Sequence, residues 1–193
     1  EPLNWGRSHN LAKLPAAARQ RVKLLQADVR CVNRAKAHVL AAQNFSFWIF
    51  KPRHELCEYF KVARSNLARD GLMILDMMGG SECIEEDHKD VRKVRGFKYV
   101  WEQARIDPIT HDAKFYIHFR FKDGSKLQRA FDYDWRFWTI PEVRELLEEA
   151  GFSKSYVYWE GTDSRTGEGD GIWKKVTSAS NEPTWIAYIV AAR

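Results

Sequence analysis

The sequence lacks a Cys-x-x-Cys pair. Its three cysteines, Cys31, Cys57 and Cys83, are odd in number and widely spaced. That sets aside a disulfide framework and a zinc knuckle, and leaves free thiols in a reducing compartment, the cytoplasm or an organellar matrix. There is no long hydrophobic run. The longest apolar stretch, residues 39–50, is broken by Gln43, Asn44 and Ser46, so it is too short and too polar to span a bilayer, and no secretory leader is visible. No run of basic residues occurs either. The net charge is +5, which permits nucleic-acid contact without pointing to it, because the cations are interleaved with acids as in Glu85, Glu86, Asp87, His88, Lys89 and Asp90. His111 and His118, even with Asp107 and Asp112 beside them, show no metal-ligand spacing, and no metal is expected. A glycine-rich turn between a strand and a helix is also missing. Gly167, Gly169 and Gly171 cluster, but no strand-to-helix junction surrounds them, and they read as loop.

What is present is a full-sized core for one domain over residues 1–193, with eight tryptophans among its apolar residues. Residues 2–14 read as a helix, with Pro2 tolerated in its first turn. Residues 22–27 (VKLLQA) and 37–42 (AHVLAA) are short apolar runs that suit buried strands. Between 52 and 67, Leu56, Tyr59, Phe60, Ala63 and Leu67 recur at three- and four-residue spacing and predict a helix, stopped by Asp70-Gly71 with Gly71 in a left-handed cap. Residues 72–77 (LMILDM) predict a third buried strand. Strand, helix and strand with tight turns predict a parallel sheet covered on both faces. Residues 97–105, 114–121 and 127–133 are rich in aromatic and β-branched residues, and Asp123-Gly124 is a hairpin signal. They predict an antiparallel cap inserted over 97–135. Thr139 as N-cap, Pro141 and Glu142 open a helix over 140–150. Residues 155–160 and 184–192 read as strands, and 161–181 as a loop.

The run Gly71-Leu72-Met73-Ile74-Leu75-Asp76 after a helix, the aromatic segment, the helix WTIPEVRELLEEAGF and a closing hairpin occur in the order found in class I S-adenosylmethionine-dependent methyltransferases. The chain resembles the C-terminal two-thirds of such a domain, and Glu1-Pro2-Leu3 resembles the segment just after the family's second strand. Starting at Glu1 with helix-like sequence, the chain reads as the remainder of a longer one. The resemblance implies an α/β fold: a Rossmann-like, doubly wound, mostly parallel sheet with its N-terminal strands missing and a small antiparallel cap.

The resemblance further implies S-adenosylmethionine as cofactor. By position, Asp28 would accept from the adenine amino group and Val29 would offer its backbone amide, while Asn44 and Phe45 would lie near the reactive methyl. Asp28 and Asn44 are equally ordinary turn residues. Methyl transfer needs positioning and shielding, and a base only where the nucleophile must lose a proton. The segment around the cap supplies Glu102, Gln103, His111, Tyr133 and Arg136 as candidate acceptor-binding groups, with Asp107 and Asp134 beside them. The acceptor is a small molecule or a protein. Two other functions stay open: a scaffold that has lost its cofactor, with a protein partner or second copy at the exposed sheet edge, and an RNA methyltransferase. The Asn/Asp-Pro-Pro-aromatic motif of base-amine methylating relatives is absent, since Asn44-Phe45-Ser46-Phe47 stands in its place.

Overall fold

The computed structural model describes residues 1–32, 36–167 and 169–193. Two sheets carry the fold. The first has five strands in the order β1-β2-β9-β7-β8: β1 (Ala37–Ala42), β2 (Leu67–Gly79), β7 (Lys154–Thr162), β8 (Gly169–Val176) and β9 (Trp185–Ala192). The second is an antiparallel sheet in the order β3-β4-β5-β6, formed by β3 (His88–Val94), β4 (Phe97–Ile106), β5 (Asp112–Phe121) and β6 (Lys126–Arg136).

Helix α3 (Arg53–Ser65) buries Leu56, Cys57, Tyr59, Phe60 and Ala63, and α4 (Ile140–Glu149) buries Val143, Leu146 and Leu147. Alternate residues of the sheet meet them. Met73, Leu75 and Met77 of β2 and Ala187, Ile189 and Ala191 of β9 are fully buried. Each large apolar side chain removed from water this way contributes about 2 kcal/mol. The opposite face is open in part, although Asp76 and Met78 at the end of β2 are buried. Val39 is 57%, Leu72 36% and Ile186 44% exposed. This corrects the expectation of a sheet covered on both faces. The N-terminal segment does not cover it: α1 (Pro2–His9) and α2 (Ala16–Arg19) bury nothing, and no residue of 1–32 is buried.

Other expectations are corrected too. Residues 22–27 form no strand. A strand needs a neighbour for its backbone groups, and among the described residues β1 has one paired edge, toward β2. The predicted helix over 2–14 ends at His9 and gives way to a 3-10 turn, Leu11–Lys13. Gly71 is not a cap but part of β2. A Cβ there would sit 2.9 Å from the Ala37 carbonyl, so glycine lets β1 approach where the β1–β2 register shifts. The segment 161–181 contains β8 rather than loop alone; Glu168 within it lies outside the described residues. Strand β3, polar and charged apart from Val91 and Val94, has no counterpart among the sequence-predicted strands. The five-stranded sheet is not mostly parallel by pairing: β1–β2 is parallel, whereas β2–β9, β9–β7 and β7–β8 are antiparallel.

The N-terminus of α4 obeys its sequence signals. Thr139 and Glu142 form a reciprocal capping box: Glu142 N donates to Thr139 Oγ1, and Thr139 N donates to Glu142 Oε2 at 2.9 Å. Thr139→Ala is expected to cost about 1 kcal/mol in urea denaturation. An unchanged midpoint would show that the box does not hold α4.

Candidate functional site

In an open α/β sheet, ligands gather beyond the carboxyl ends of the parallel strands. Here that edge is formed by the ends of β1 and β2. Strand β1 runs into Gln43, then Asn44 (φ 59°) and Phe45 (φ 54°), then a 3-10 turn, Ser46–Ile49. Two consecutive non-glycine residues in the left-handed region are costly. Asp76 of β2 holds them there. Its carboxylate accepts from Asn44 N at 2.8 Å and from Phe45 N at 2.9 Å, and the residue is 8% exposed. The turn leaves the Asn44 side chain exposed and directs Phe45 against Trp48 and Trp135, with ring centroids 5.6 and 6.2 Å away.

From Trp135 an aromatic wall extends along the antiparallel sheet. Tyr133 lies 4.3 Å from Trp135 and 6.0 Å from Trp101, and Phe131 stacks on Tyr133 at 6.4 Å. On the other side of the edge, Gly79-Gly80 ends β2. The Trp185 ring occupies the place a Cβ would take at Gly79, and the Pro183 carbonyl does the same at Gly80, whose φ is +109°. A cavity of about 330 Å³ opens there, lined by Gly79, Gly80, Trp138, Trp159, Asn181 and Trp185. A larger one of about 500 Å³ lies between α4 and β7, lined by Arg144, Glu148 and Tyr156. Its residues belong to the helix-covered side, and none comes from the β1–β2 edge.

The sequence-predicted residues separate into two groups. Asn44, Phe45 and Tyr133 share the edge and its aromatic wall. The rest lie elsewhere, and all but Val29 are engaged there. Asp28 forms an ion pair with Arg30 at 2.8 Å, and these hydrogen bonds hold its carboxyl down at about 2. Arg30 in turn reaches Glu55 and lies over the Phe50 ring. Val29 is exposed. Glu102 lies 2.7 Å from His118 Nε2, and His118 Nδ1 accepts from Arg129 N at 3.0 Å, which puts the imidazole proton on Nε2. Gln103 donates to the carbonyls of Glu82 and Glu85. His111 (φ 60°) closes the β4–β5 turn, its carbonyl accepting from Phe137 N. Arg136 donates to Lys51 O and Glu142 and lies 3.8 Å over the Trp138 ring. Asp134 and Asp112 share Lys51, which keeps the Asp134 carboxyl below its ordinary range. Asp107 accepts from Ile109 N and Thr110 N within its own turn. Asp76 is not among the sequence-predicted residues. Its one signal is an acid inside the otherwise apolar run LMILDM.

No family profile matches the chain, and no curated protein matches it. Solved structures do. The CcbJ methyltransferase from Streptomyces caelestis superposes with a TM-score of 0.70 at 13% identity, over 98% of this chain and 75% of that one. An S-adenosylmethionine-dependent methyltransferase from Clostridium acetobutylicum gives 0.61 at 16%, over 98% and 68%. The fold is that of the class I methyltransferases. CalS10, an S-adenosylmethionine-bound amino pentose methyltransferase from Micromonospora echinaspora, gives 0.56 at 14% identity, and this chain spans 63% of its length. In the present chain β1 and β2 are the adjacent parallel strands, and β9 is the antiparallel strand between β2 and β7.

Removing the Asp76 carboxylate strands two backbone donors and releases two left-handed residues. Asp76→Ala is expected to lose about 3 kcal/mol in urea denaturation. Asp76→Asn, which keeps one acceptor oxygen, is expected to lose about half of that. A loss within about 0.5 kcal/mol for both variants, the range of an ordinary surface change, would contradict the clamp.

Proposed function

We propose that the chain is part of an S-adenosylmethionine-dependent methyltransferase acting on a small ring-bearing acceptor. One observation carries the proposal: the turn after β1 is held by Asp76 with Asn44 exposed and Phe45 seated on an aromatic wall, at the edge where this fold places its ligands. When bound, the cofactor supplies a methyl group activated on a sulfonium. The chain's own residues would orient and shield. Asn44 offers a side-chain amide at the edge, and Phe45, Tyr133 and Trp135 offer an apolar surface that excludes water. The cavity lined by Trp138, Trp159 and Trp185 has room for a small ring, in keeping with the amino pentose named for CalS10. The fit is to the methyl end of the cofactor. Among the described residues no glycine-rich turn joins a strand to an α-helix to cradle its methionine portion.

A second function, a scaffold without cofactor, is favoured by the open face of the five-stranded sheet, where Val39, Leu72 and Ile186 await a cover. Calorimetric titration of S-adenosylhomocysteine into this chain, and into any longer natural chain containing it, separates the two. Asn44→Gly keeps the left-handed backbone and deletes the amide, and is expected to weaken binding about tenfold, the loss of one good hydrogen bond. If neither chain binds, or if Asn44→Gly binds as tightly as the natural sequence, the edge is not a cofactor site.

A further inference from the structure

The far end of the antiparallel sheet carries a row of like charges. Lys93 of β3 stands opposite Lys98 of β4, Lys98 opposite Arg120 of β5, and Arg120 opposite Lys126 of β6. Directly paired residues point to the same face, so one cation from every strand stands on one side. All four are exposed. With strands about 4.8 Å apart, the row is about 14 Å long. Two further exposed cations lie in the turns at this end, Arg95 between β3 and β4 and Lys122 between β5 and β6.

Directly opposed like charges destabilise a sheet, and among the described residues no carboxylate pairs with these cations. None of the four has a carboxylate within ion-pair distance among the described residues, although fifteen such pairs occur elsewhere. Asp123, in the β5–β6 turn, accepts from Ser125 N and Oγ. Asp90 is paired with Arg92.

We propose that this row binds the phosphodiester backbone of a nucleic acid, without reading its sequence. Four cations in a line match a linear polyanion. An anionic membrane fits less well. The apolar residues at this end, Val94, Phe97 and Phe121, form the adjacent cross-strand row and therefore project from the opposite face. A flat membrane touching the cations would leave them unburied. The proposal is independent of methyl transfer.

The test is fluorescence anisotropy of a labelled, mixed-sequence, single-stranded oligonucleotide over a range of salt concentrations. The natural chain is expected to bind at low salt. Lys98→Glu with Arg120→Glu should weaken binding at least about tenfold and flatten the log-affinity against log-salt slope by about 1.4, at roughly 0.7 for each phosphate no longer neutralised. Lys61→Glu with Arg69→Glu changes net charge equally on other elements and should stay within about twofold. Thermal melting checks that the variants fold, and Lys98→Gln with Arg120→Gln replaces the reversal if it does not. Failure of the natural chain to bind at low salt would overturn the proposal. So would an unchanged slope, or an equal loss in the control. Row-dependent capture of polyglutamate or of anionic vesicles in preference to the oligonucleotide would overturn it as well.

Discussion

The carboxylate of Asp76 fixes where β1 ends and how the chain turns beyond it. By accepting from the backbone N–H groups of both Asn44 and Phe45, it offsets the cost of two adjacent left-handed residues. The chain then turns into the 3-10 turn Ser46–Ile49 at the edge of the sheet. Phe45 reaches Trp48 and Trp135 from that turn, and Trp135 belongs to β6 of the other sheet. One buried acid on β2 therefore sets the β1 turn, the seat of the 3-10 turn after it and the aromatic contact between the two sheets. Lys51, bound to Asp112 and Asp134, and Arg136, bound to the Lys51 carbonyl and Glu142, fasten the same junction from its polar side.

The five-stranded sheet shows what the remaining elements can do without further cover. On the α3–α4 side, Met73, Leu75, Met77, Ala187, Ile189 and Ala191 are sealed. On the other side Asp76 and Met78 at the end of β2 are buried too, but Val39, Leu72 and Ile186 stay in water. The exposed N-terminal segment is the consequence in sequence terms. Trp5, Leu14, Val22 and Leu25 are apolar and solvent-facing, and the run at 22–27 has the composition of a strand without a strand's partner. Backbone groups pair within the structure or with water, and an apolar run alone supplies no pairing.

Local signals in the sequence are legible where they are self-contained. The N-cap at Thr139, the Asp123-Gly124 turn and the periodic face of α3 as far as Ala63 each involve neighbours within a few residues, and each forms as expected, whereas Leu67, expected on that helix face, opens β2 instead. Signals that depend on distant partners mislead. Gly71 has the look of a helix cap, but its lack of a side chain serves the approach of Ala37. Polar β3 carries no apolar alternation to announce it, and it forms by pairing with β4. The candidate residues show the same division. Asn44 and Phe45, which the resemblance puts near the reactive methyl, stand at the β1–β2 edge. Glu102, Gln103, His111 and Arg136 are plausible by type, but the structure commits them to His118, to the Glu82 and Glu85 carbonyls, to a turn, and to Glu142. Nothing local in LMILDM indicates that its acid reaches back 32 residues.

Amide hydrogen exchange at Asn44 and Phe45, monitored by NMR in the 193-residue chain, tests the clamp most directly. Both amides are expected to exchange as slowly as those of the adjoining β1–β2 ladder, such as Ala41 and Leu75, because each is bonded to a buried carboxylate. Exchange at the rate of an unfolded chain while the ladder stays protected would contradict the account, and would remove the physical basis for a preformed ligand edge at the end of β1.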